Sequence, residues 1–170
     1  MLRGRRPVFR FVLILAGAML VFNAVFNAYV TESSWFAHYL EVNARLSATL
    51  LSWLGEEAIA SEARVSSPNL PQGMIIKTGC DGIQASAFFV FMLVASPVAV
   101  RLIRRLPVII AGTLALLALN IIRVITLYFA RISHPRLFDV LHEEVWQPVF
   151  IVLPLLLWFF WLRWVGSRGT

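Results

Sequence analysis

Cys80 is the only cysteine in the sequence, and it stands where a thiol could do chemistry. It belongs to the segment Thr78-Gly79-Cys80-Asp81-Gly82, immediately before an apolar run. A single cysteine excludes an internal disulfide and any Cys-rich metal site, so the thiol is either buried and inert or reactive. A helix amino terminus favours a thiolate, Asp81 could cap that helix, and Gly79 and Gly82 would let another chain approach the backbone closely.

Arg123 lies within an apolar run, where a guanidinium costs roughly 2.5 to 3.5 kcal/mol to insert into a membrane. Such an arginine normally faces a protein interior or a cavity. Asn120 and Thr126 stand three residues to either side, so the three polar groups lie near one face of a helix. We expect that face to point into a helix bundle; the alternative is an arginine that snorkels or forms a purely structural pair.

His142 begins the sequence His142-Glu143-Glu144, just ahead of the last apolar run. A neutral imidazole beside a thiol can accept its proton and can later protonate a leaving amine. The alternative is a solvated histidine at the membrane surface. The other two histidines are weaker candidates, because His134 precedes a proline in a turn and His38 belongs to an amphipathic segment.

The composition of the chain is that of a membrane protein. Of its 170 residues, 59% are hydrophobic and 14% are charged, and the mean hydropathy is +0.78. The formal net charge of +6 would suit nucleic-acid binding only if the basic residues shared one face, whereas they form short clusters between apolar runs. We therefore expect the lipid bilayer as a partner and no nucleic acid. Metal-ligand spacing and a phosphate-binding glycine motif are both missing, so we expect no metal and no cofactor.

Four apolar runs are long enough to be membrane-spanning helices, at about 8–30, 82–100, 106–130 and 145–165. The chain is thus predicted to be an all-α membrane protein, a single membrane domain over 1–170 built as a bundle of four transmembrane helices. The first run could also be a cleaved signal peptide. It is longer than the apolar region of such a peptide, however, and lacks a clear small-residue cleavage pattern.

The basic residues predict an orientation, because positive residues beside spans are retained in the cytoplasm. They precede the first run and separate the second run from the third, at Arg3, Arg5, Arg6, Arg10, Arg101, Arg104 and Arg105. Both termini are therefore predicted to lie in the cytoplasm, with the chain in the inner membrane. The acidic loop 31–81 and the short connection 131–144 are predicted to lie on the outer, periplasmic side.

The outer loop is predicted to have structure of its own. Apolar residues recur at helical spacing over 35–54 with polar residues between them, which indicates an amphipathic helix. That helix could lie in the outer membrane interface or cover the bundle, since Trp and Tyr favour interfacial depth. Two short extended segments, 58–65 and 74–78, flank a turn-rich cluster and predict a small β-hairpin that leads into Cys80.

Three residues far apart in sequence are thus assigned independently to one face of the membrane. Cys80 would be a nucleophile and His142 a base. Arginine cannot act as a general acid at physiological pH, so Arg123 would hold a substrate carbonyl or carboxylate, or stabilise a developing oxyanion. The combination predicts a site for acyl transfer.

The motifs Cys80-Asp81-Gly82, Asn120 with Arg123, and His142-Glu143 together resemble the exosortase and archaeosortase family in their order and membrane placement. The resemblance covers about 80–150, and the short chain is similar to the compact exosortases, such as the H type. Asp81 stands where many members carry Ser. The resemblance implies that Cys80 is the nucleophile, Arg123 its electrostatic partner and His142 the base, supported by Gly82, Asn120, Asp81 and Glu143.

The resemblance also implies a function, a cysteine transpeptidase or protease that cleaves a carboxyl-terminal sorting tail through a thioester. Its partners would be exported proteins that end in a short motif, a transmembrane helix and a basic end. The acyl group could then pass to water or to an envelope anchor. Two alternatives stay open: a non-enzymatic transporter subunit or assembly partner with an internal polar network, and an intramembrane protease that only hydrolyses.

Overall fold

The computed structural model describes residues 5–167, apart from the side chains of residues 5, 6 and 135, so Arg3 lies outside the described residues. The described chain is mostly helical. Its helices are α1 (Arg5–Val25), α2 (Ser34–Trp53), α3 (Ile83–Ala95), α4 (Leu102–Ser133), α5 (Pro135–Asp139) and α6 (Gln147–Ser167). Two π-helical segments cover Phe26–Val30 and Val140–Trp146, and three strands lie between α2 and α3: β1 (Ile59–Ser61), β2 (Arg64–Ser67) and β3 (Leu70–Ile75).

Three helical stretches are long and apolar enough to cross a membrane, namely Pro7–Val30, Leu102–Ser133 and Arg136–Ser167. They contain the spans predicted at 8–30, 106–130 and 145–165. The last two extend beyond those predictions, because the connection expected at 131–144 is itself helical. α4 continues to Ser133, and α5 and the second π-helical segment follow it directly.

The helix predicted over 82–100 is shorter than expected, since α3 has only 13 residues. Pro97 explains its end, because a residue before proline is disfavoured in the helical region, and Ser96 accordingly adopts φ −58° and ψ 123°. At 1.5 Å per residue α3 is about 20 Å long, which is less than the roughly 30 Å of a hydrocarbon core. α3 packs against α1, α4 and α6, so the shortest apolar helix is central in the bundle.

α3 and α4 approach each other closely at two glycines. A Cβ on Gly112 would lie 2.2 Å from the ring of Phe89, and a Cβ on Gly82 would lie 3.1 Å from Asn120 Cβ. The two helices are therefore antiparallel, and the loop before α3 is level with the turn of α4 that carries Asn120 and Arg123.

Arg105 holds the end of α3 and the turn that follows it. Its guanidinium donates hydrogen bonds to the carbonyl oxygens of Leu93, Val94, Ser96, Val98 and Val100. Its Cζ lies 5.6 Å from the centroid of the Trp161 ring. The last carbonyls of a helix have no helical partners, and this one buried side chain supplies partners for two of them in α3, Leu93 O and Val94 O.

A three-stranded antiparallel sheet, in the order β1-β2-β3, takes the place of the predicted β-hairpin. The first predicted strand, 58–65, is divided by a turn at Glu62, which has a positive φ of 53°. Because neither glycine nor proline stands at that turn, the sequence did not indicate it.

α2 covers nearly the whole segment predicted to be an amphipathic helix. Ser33 is its N-cap, and the Ser33 hydroxyl accepts a hydrogen bond from Phe36 N at 3.2 Å. One face of α2 packs into a core shared with the sheet and α4, which includes Phe36, Leu40, Leu51, Val65, Val124 and Tyr128. α2 therefore joins the sheet to the second half of α4.

Candidate active site

The loop before α3 presents Cys80, and Asp81 holds the shape of that loop. Asp81 Oδ2 accepts a hydrogen bond from Gly79 N at 2.9 Å, and Oδ1 accepts one from Ile83 N at 2.7 Å. The Asp81 carbonyl accepts a hydrogen bond from the Tyr39 hydroxyl at 2.6 Å, which connects the loop to α2. Asp81 is fully buried, so its role is to fix the backbone around the thiol.

The N-cap of α3 is Gly82, so the prediction that Asp81 itself occupies the cap position was wrong by one residue. Gly82 has φ +80° and ψ −6°, in the left-handed region that L side chains rarely adopt. The Asp81 carboxylate still bonds the first helical N–H, because the left-handed turn at Gly82 directs it there.

Replacing Gly82 with Ala should lower the free energy of unfolding by roughly 1 to 3 kcal/mol. The left-handed backbone and the nearby Asn120 side chain both oppose a Cβ at this position. Unfolding in detergent followed by tryptophan fluorescence would measure the change. Gly166→Ala is the matched control, because a Cβ there meets nothing within 4 Å, and equal stability of the two variants would contradict this account.

Cys80 and His142 meet across the loop and the second π-helical segment. Cys80 Sγ lies 3.0 Å from His142 Nε2. Both residues are partly exposed. With the ring proton on Nδ1, His142 Nε2 can accept the thiol proton directly.

Arg123 approaches the same sulfur from α4. Its Nη2 lies 3.4 Å from Cys80 Sγ, and its Nη1 donates to Gly79 O at 3.3 Å. Its Cζ lies 5.3 Å from the centroid of the Phe150 ring, and only 3% of the residue is exposed. A buried cation is therefore fixed beside the thiol, where it favours negative charge on the sulfur or on a nearby oxygen.

Asn120 lies one helical turn before Arg123 and is completely buried. Neither atom of its amide, nor Arg123 Nε, has a hydrogen-bond partner among the described residues. The Asn120 side chain packs against Gly82, so the structure places it beneath the thiol loop. The predicted polar face of α4 does point into the bundle.

Glu143 and the other two histidines lie outside this cluster. Glu143 is exposed, and its side chain makes no hydrogen bond among the described residues, so its charge is what links it to the neighbouring His142. His38 Nδ1 lies 3.4 Å from Glu41 on the surface of α2, and His134 is exposed at the end of α4. His142 is thus the histidine that the structure brings to Cys80.

The groups around the loop shift the pKa of the Cys80 thiol in opposite directions. Burial raises the pKa of Cys80 above its ordinary value; the Arg123 guanidinium lowers it and the Asp81 carboxylate raises it. Burial likewise raises the pKa of Asp81, against the hydrogen bonds from Ile83 and Gly79 and the charge of Arg123. Burial is the largest of these effects on Cys80, so the net change is a raised pKa, which favours the thiol and makes a neighbouring base important for forming the thiolate.

Comparison with protein-family models, with curated proteins and with solved structures finds no match to this chain.

The arrangement brings together a thiol, a ring nitrogen 3.0 Å away that can take its proton, and a guanidinium nitrogen 3.4 Å from the sulfur. A thiol beside a base can attack an electrophilic carbon, and the guanidinium can stabilise the negative charge that develops next to it. This set of groups is suited to acyl transfer.

Two positioning residues of the site were missed from the sequence. Phe138 stacks on His142 with nearly parallel rings, whose centroids are 5.7 Å apart and whose planes differ by 4°, and Arg131 Cζ lies 5.1 Å from the Phe138 centroid. Trp146 Nε1 donates to Thr126 Oγ1 at 3.1 Å, which ties the second π-helical segment to α4. The spacing of Phe138 and His142, four residues apart, was the signal that could have indicated their contact.

Replacing Phe138 with Leu should slow the alkylation of Cys80 at neutral pH. An aromatic stack is worth about 0.5 to 1.5 kcal/mol, so we expect a decrease of up to about tenfold as the imidazole loses the ring that orients it. Phe138→Tyr should retain the wild-type rate. Phe160→Leu, at an exposed position of α6, controls for the loss of an aromatic ring, and a wild-type rate in Phe138→Leu would show that stacking does not orient the base.

Proposed function

We propose that this chain is a membrane-embedded cysteine transpeptidase or peptidase that cleaves the carboxyl-terminal sorting tail of exported proteins. The observation that carries the proposal is the 3.0 Å contact between Cys80 Sγ and His142 Nε2, with Arg123 Nη2 3.4 Å from the same sulfur. These residues come from three separate parts of the sequence. A purely structural arginine would not need a base and a thiol at its side.

The proposed topology has four spans, with α3 as a short second span and both termini in the cytoplasm. The length of α4 supports the depth of the site, because a rise of 1.5 Å per residue separates Arg105 from Arg123 by about 27 Å. That distance is close to the roughly 30 Å thickness of a hydrocarbon core. With Arg105 at the cytoplasmic boundary of the inner membrane, Arg123 and Cys80 lie at the periplasmic boundary.

The substrate class comes from the resemblance to exosortases and archaeosortases, whose motifs occur here in the same order. The substrate would be an exported protein that ends in a short recognition motif, a transmembrane helix and a basic end. Such a tail would cross the bilayer beside this chain and present its motif at the depth of Cys80.

The reaction would proceed through a thioester. The proton of Cys80 Sγ moves to His142 Nε2 while the sulfur attacks the substrate carbonyl carbon, and Arg123 stabilises the oxyanion that forms. The imidazolium gives its proton to the amine nitrogen as the C–N bond breaks, which leaves the acyl group on Cys80. Water or an amine then attacks the thioester and passes its proton through His142 to the departing sulfur.

Co-expression with a tagged exported protein that carries such a tail tests this function. The wild type should remove the tail, and Cys80→Ser and Cys80→Ala should not, because neither variant retains a thiol. Intact mass of the product would identify the new carboxyl terminus and tell hydrolysis from transfer to an amine. Processing that continues in both Cys80 variants would exclude Cys80 as the nucleophile and favour the non-enzymatic alternative.

A further inference from the structure

α2 carries an exposed apolar stripe that the core of the protein does not use. The stripe consists of Trp35, Val42, Leu46 and Trp53, which are 62%, 38%, 52% and 79% exposed, respectively. At 3.6 residues per turn, these positions fall within about 20° of one line along the helix. The stripe is about 27 Å long and has a tryptophan at each end.

The polar residues of α2 lie on a separate strip. There Arg45 Nη2 donates to Glu41 Oε1 at 2.5 Å, and His38 Nδ1 lies 3.4 Å from Glu41 Oε2. The core-facing residues, such as Ala44 and Leu51, lie on a third side of the helix. The exposed surface of α2 is thus divided lengthwise into an apolar part and a polar part, as expected of a helix that lies between lipid and water.

The apolar stripe continues a surface whose composition suits lipid. The preceding helical stretch Pro7–Val30 is long and apolar enough to cross a membrane, and near its end it exposes Val21, Val25 and Tyr29 at four-residue spacing. Only the short turn 31–33 separates these residues from α2. We propose that α2 lies in the plane of the membrane interface, with its apolar stripe in contact with lipid and its polar strip in water.

The stripe is connected to the thiol loop. The rings of Trp35 and Tyr39 stack with centroids 6.0 Å apart and an angle of 13°, and the Tyr39 hydroxyl donates to Asp81 O at 2.6 Å. Burial raises the pKa of Tyr39 to about 12, so this hydroxyl remains a donor at physiological pH. Contact of α2 with lipid would therefore fix the depth of Cys80. This inference does not depend on the proposed acyl transfer.

Site-directed spin labelling of the full chain tests the proposal. In a Cys80→Ser background, an introduced cysteine is the only thiol. Leu46→Cys on the stripe and Arg45→Cys on the polar strip form a matched pair, because both side chains are exposed and neither label disturbs the core. The labelled proteins would be reconstituted in phosphatidylcholine vesicles, and the nitroxide collision rates with oxygen and with a water-soluble nickel chelate compared.

The ratio of oxygen to nickel collisions should be several-fold higher at position 46 than at position 45, since oxygen partitions into lipid and the chelate does not. Equal ratios would overturn the proposal by placing the stripe in water. Low collision rates with both reagents at position 46 would also overturn it, because protein, such as a second copy of this chain, would then cover the stripe. Neither outcome bears on Cys80-dependent processing, so the two proposals fail separately.

Discussion

Replacing His142 with Gln should slow the proposed Cys80-dependent cleavage by about 100-fold to 10,000-fold, the contribution typical of general acid–base catalysis. Gln can form a hydrogen bond with the sulfur, but it cannot accept the thiol proton over the 3.0 Å that separates Nε2 from Sγ. Burial raises the pKa of the Cys80 thiol, so without the imidazole as proton acceptor the formation of the thiolate shifts to higher pH. Alkylation of Cys80 measured against pH by mass spectrometry should show this displacement to higher pH.

His134→Gln is the matched control, since His134 is exposed at the end of α4 and no hydrogen bond between described residues joins its side chain to Cys80. It should leave both the cleavage rate and the alkylation profile unchanged. An unaltered alkylation profile in His142→Gln would contradict the role of His142 as the base. A loss of the same size in both variants would point to a general effect of removing a histidine.

Replacing Arg105 with Met should lower the free energy of unfolding by roughly 3 kcal/mol or more. A hydrogen bond to a charged group contributes about 1.5 to 3 kcal/mol, and a buried carbonyl left without a partner costs about 1 to 3 kcal/mol. The Arg105 guanidinium donates to the carbonyls at the end of α3 and in the following turn, and methionine donates to none of them. Unfolding in mixed detergent micelles, followed by tryptophan fluorescence, would measure the loss.

Arg104→Met removes the same charge from the neighbouring position, which is exposed, and should change stability little. Arg105→Lys should fall between the two, because lysine keeps the charge but lacks the planar donors that reach several carbonyls at once. Equal stability of Arg104→Met and Arg105→Met would show that the carbonyls find other partners.

Sequence patterns predicted the elements in which the spacing of apolar and polar residues indicates which face is buried. The amphipathic helix over 35–54 corresponds to α2, because its apolar residues alternate with polar ones at helical spacing. The polar face of α4 was predicted from the spacing of Asn120 and Arg123. A guanidinium that pointed outward into lipid would carry a large free-energy cost of insertion, so this face was expected to point into the bundle. In the same way, the three helical stretches long enough for a membrane followed from composition.

Other features depend on contacts that no local pattern records. The hydrogen bond from Tyr39 to the Asp81 carbonyl joins α2 to a distant loop, and nothing in either segment indicates the partner. The third strand was missed because the turn at Glu62 has positive φ without glycine. The end of α3 could have been predicted, because Pro97 disfavours a helical conformation in the residue before it. The prediction extended to 100 because the apolar run continues past Pro97.

His142 faces Cys80 from within a π-helical segment, and this has a consequence for insertions and deletions in the gene. Each residue of an α-helix turns the chain by about 100°, and a π-helical turn accommodates an extra residue without lengthening the helix by a full turn. Deleting one residue from 140–146 would let the segment relax to an α-helix while α5 and α6 keep their faces, because the π-helical turn absorbs that residue. The same deletion inside α6 would turn every later side chain by about 100°. The segment 140–146 is therefore where the chain can change the direction of the imidazole without disturbing the helices that pack around it.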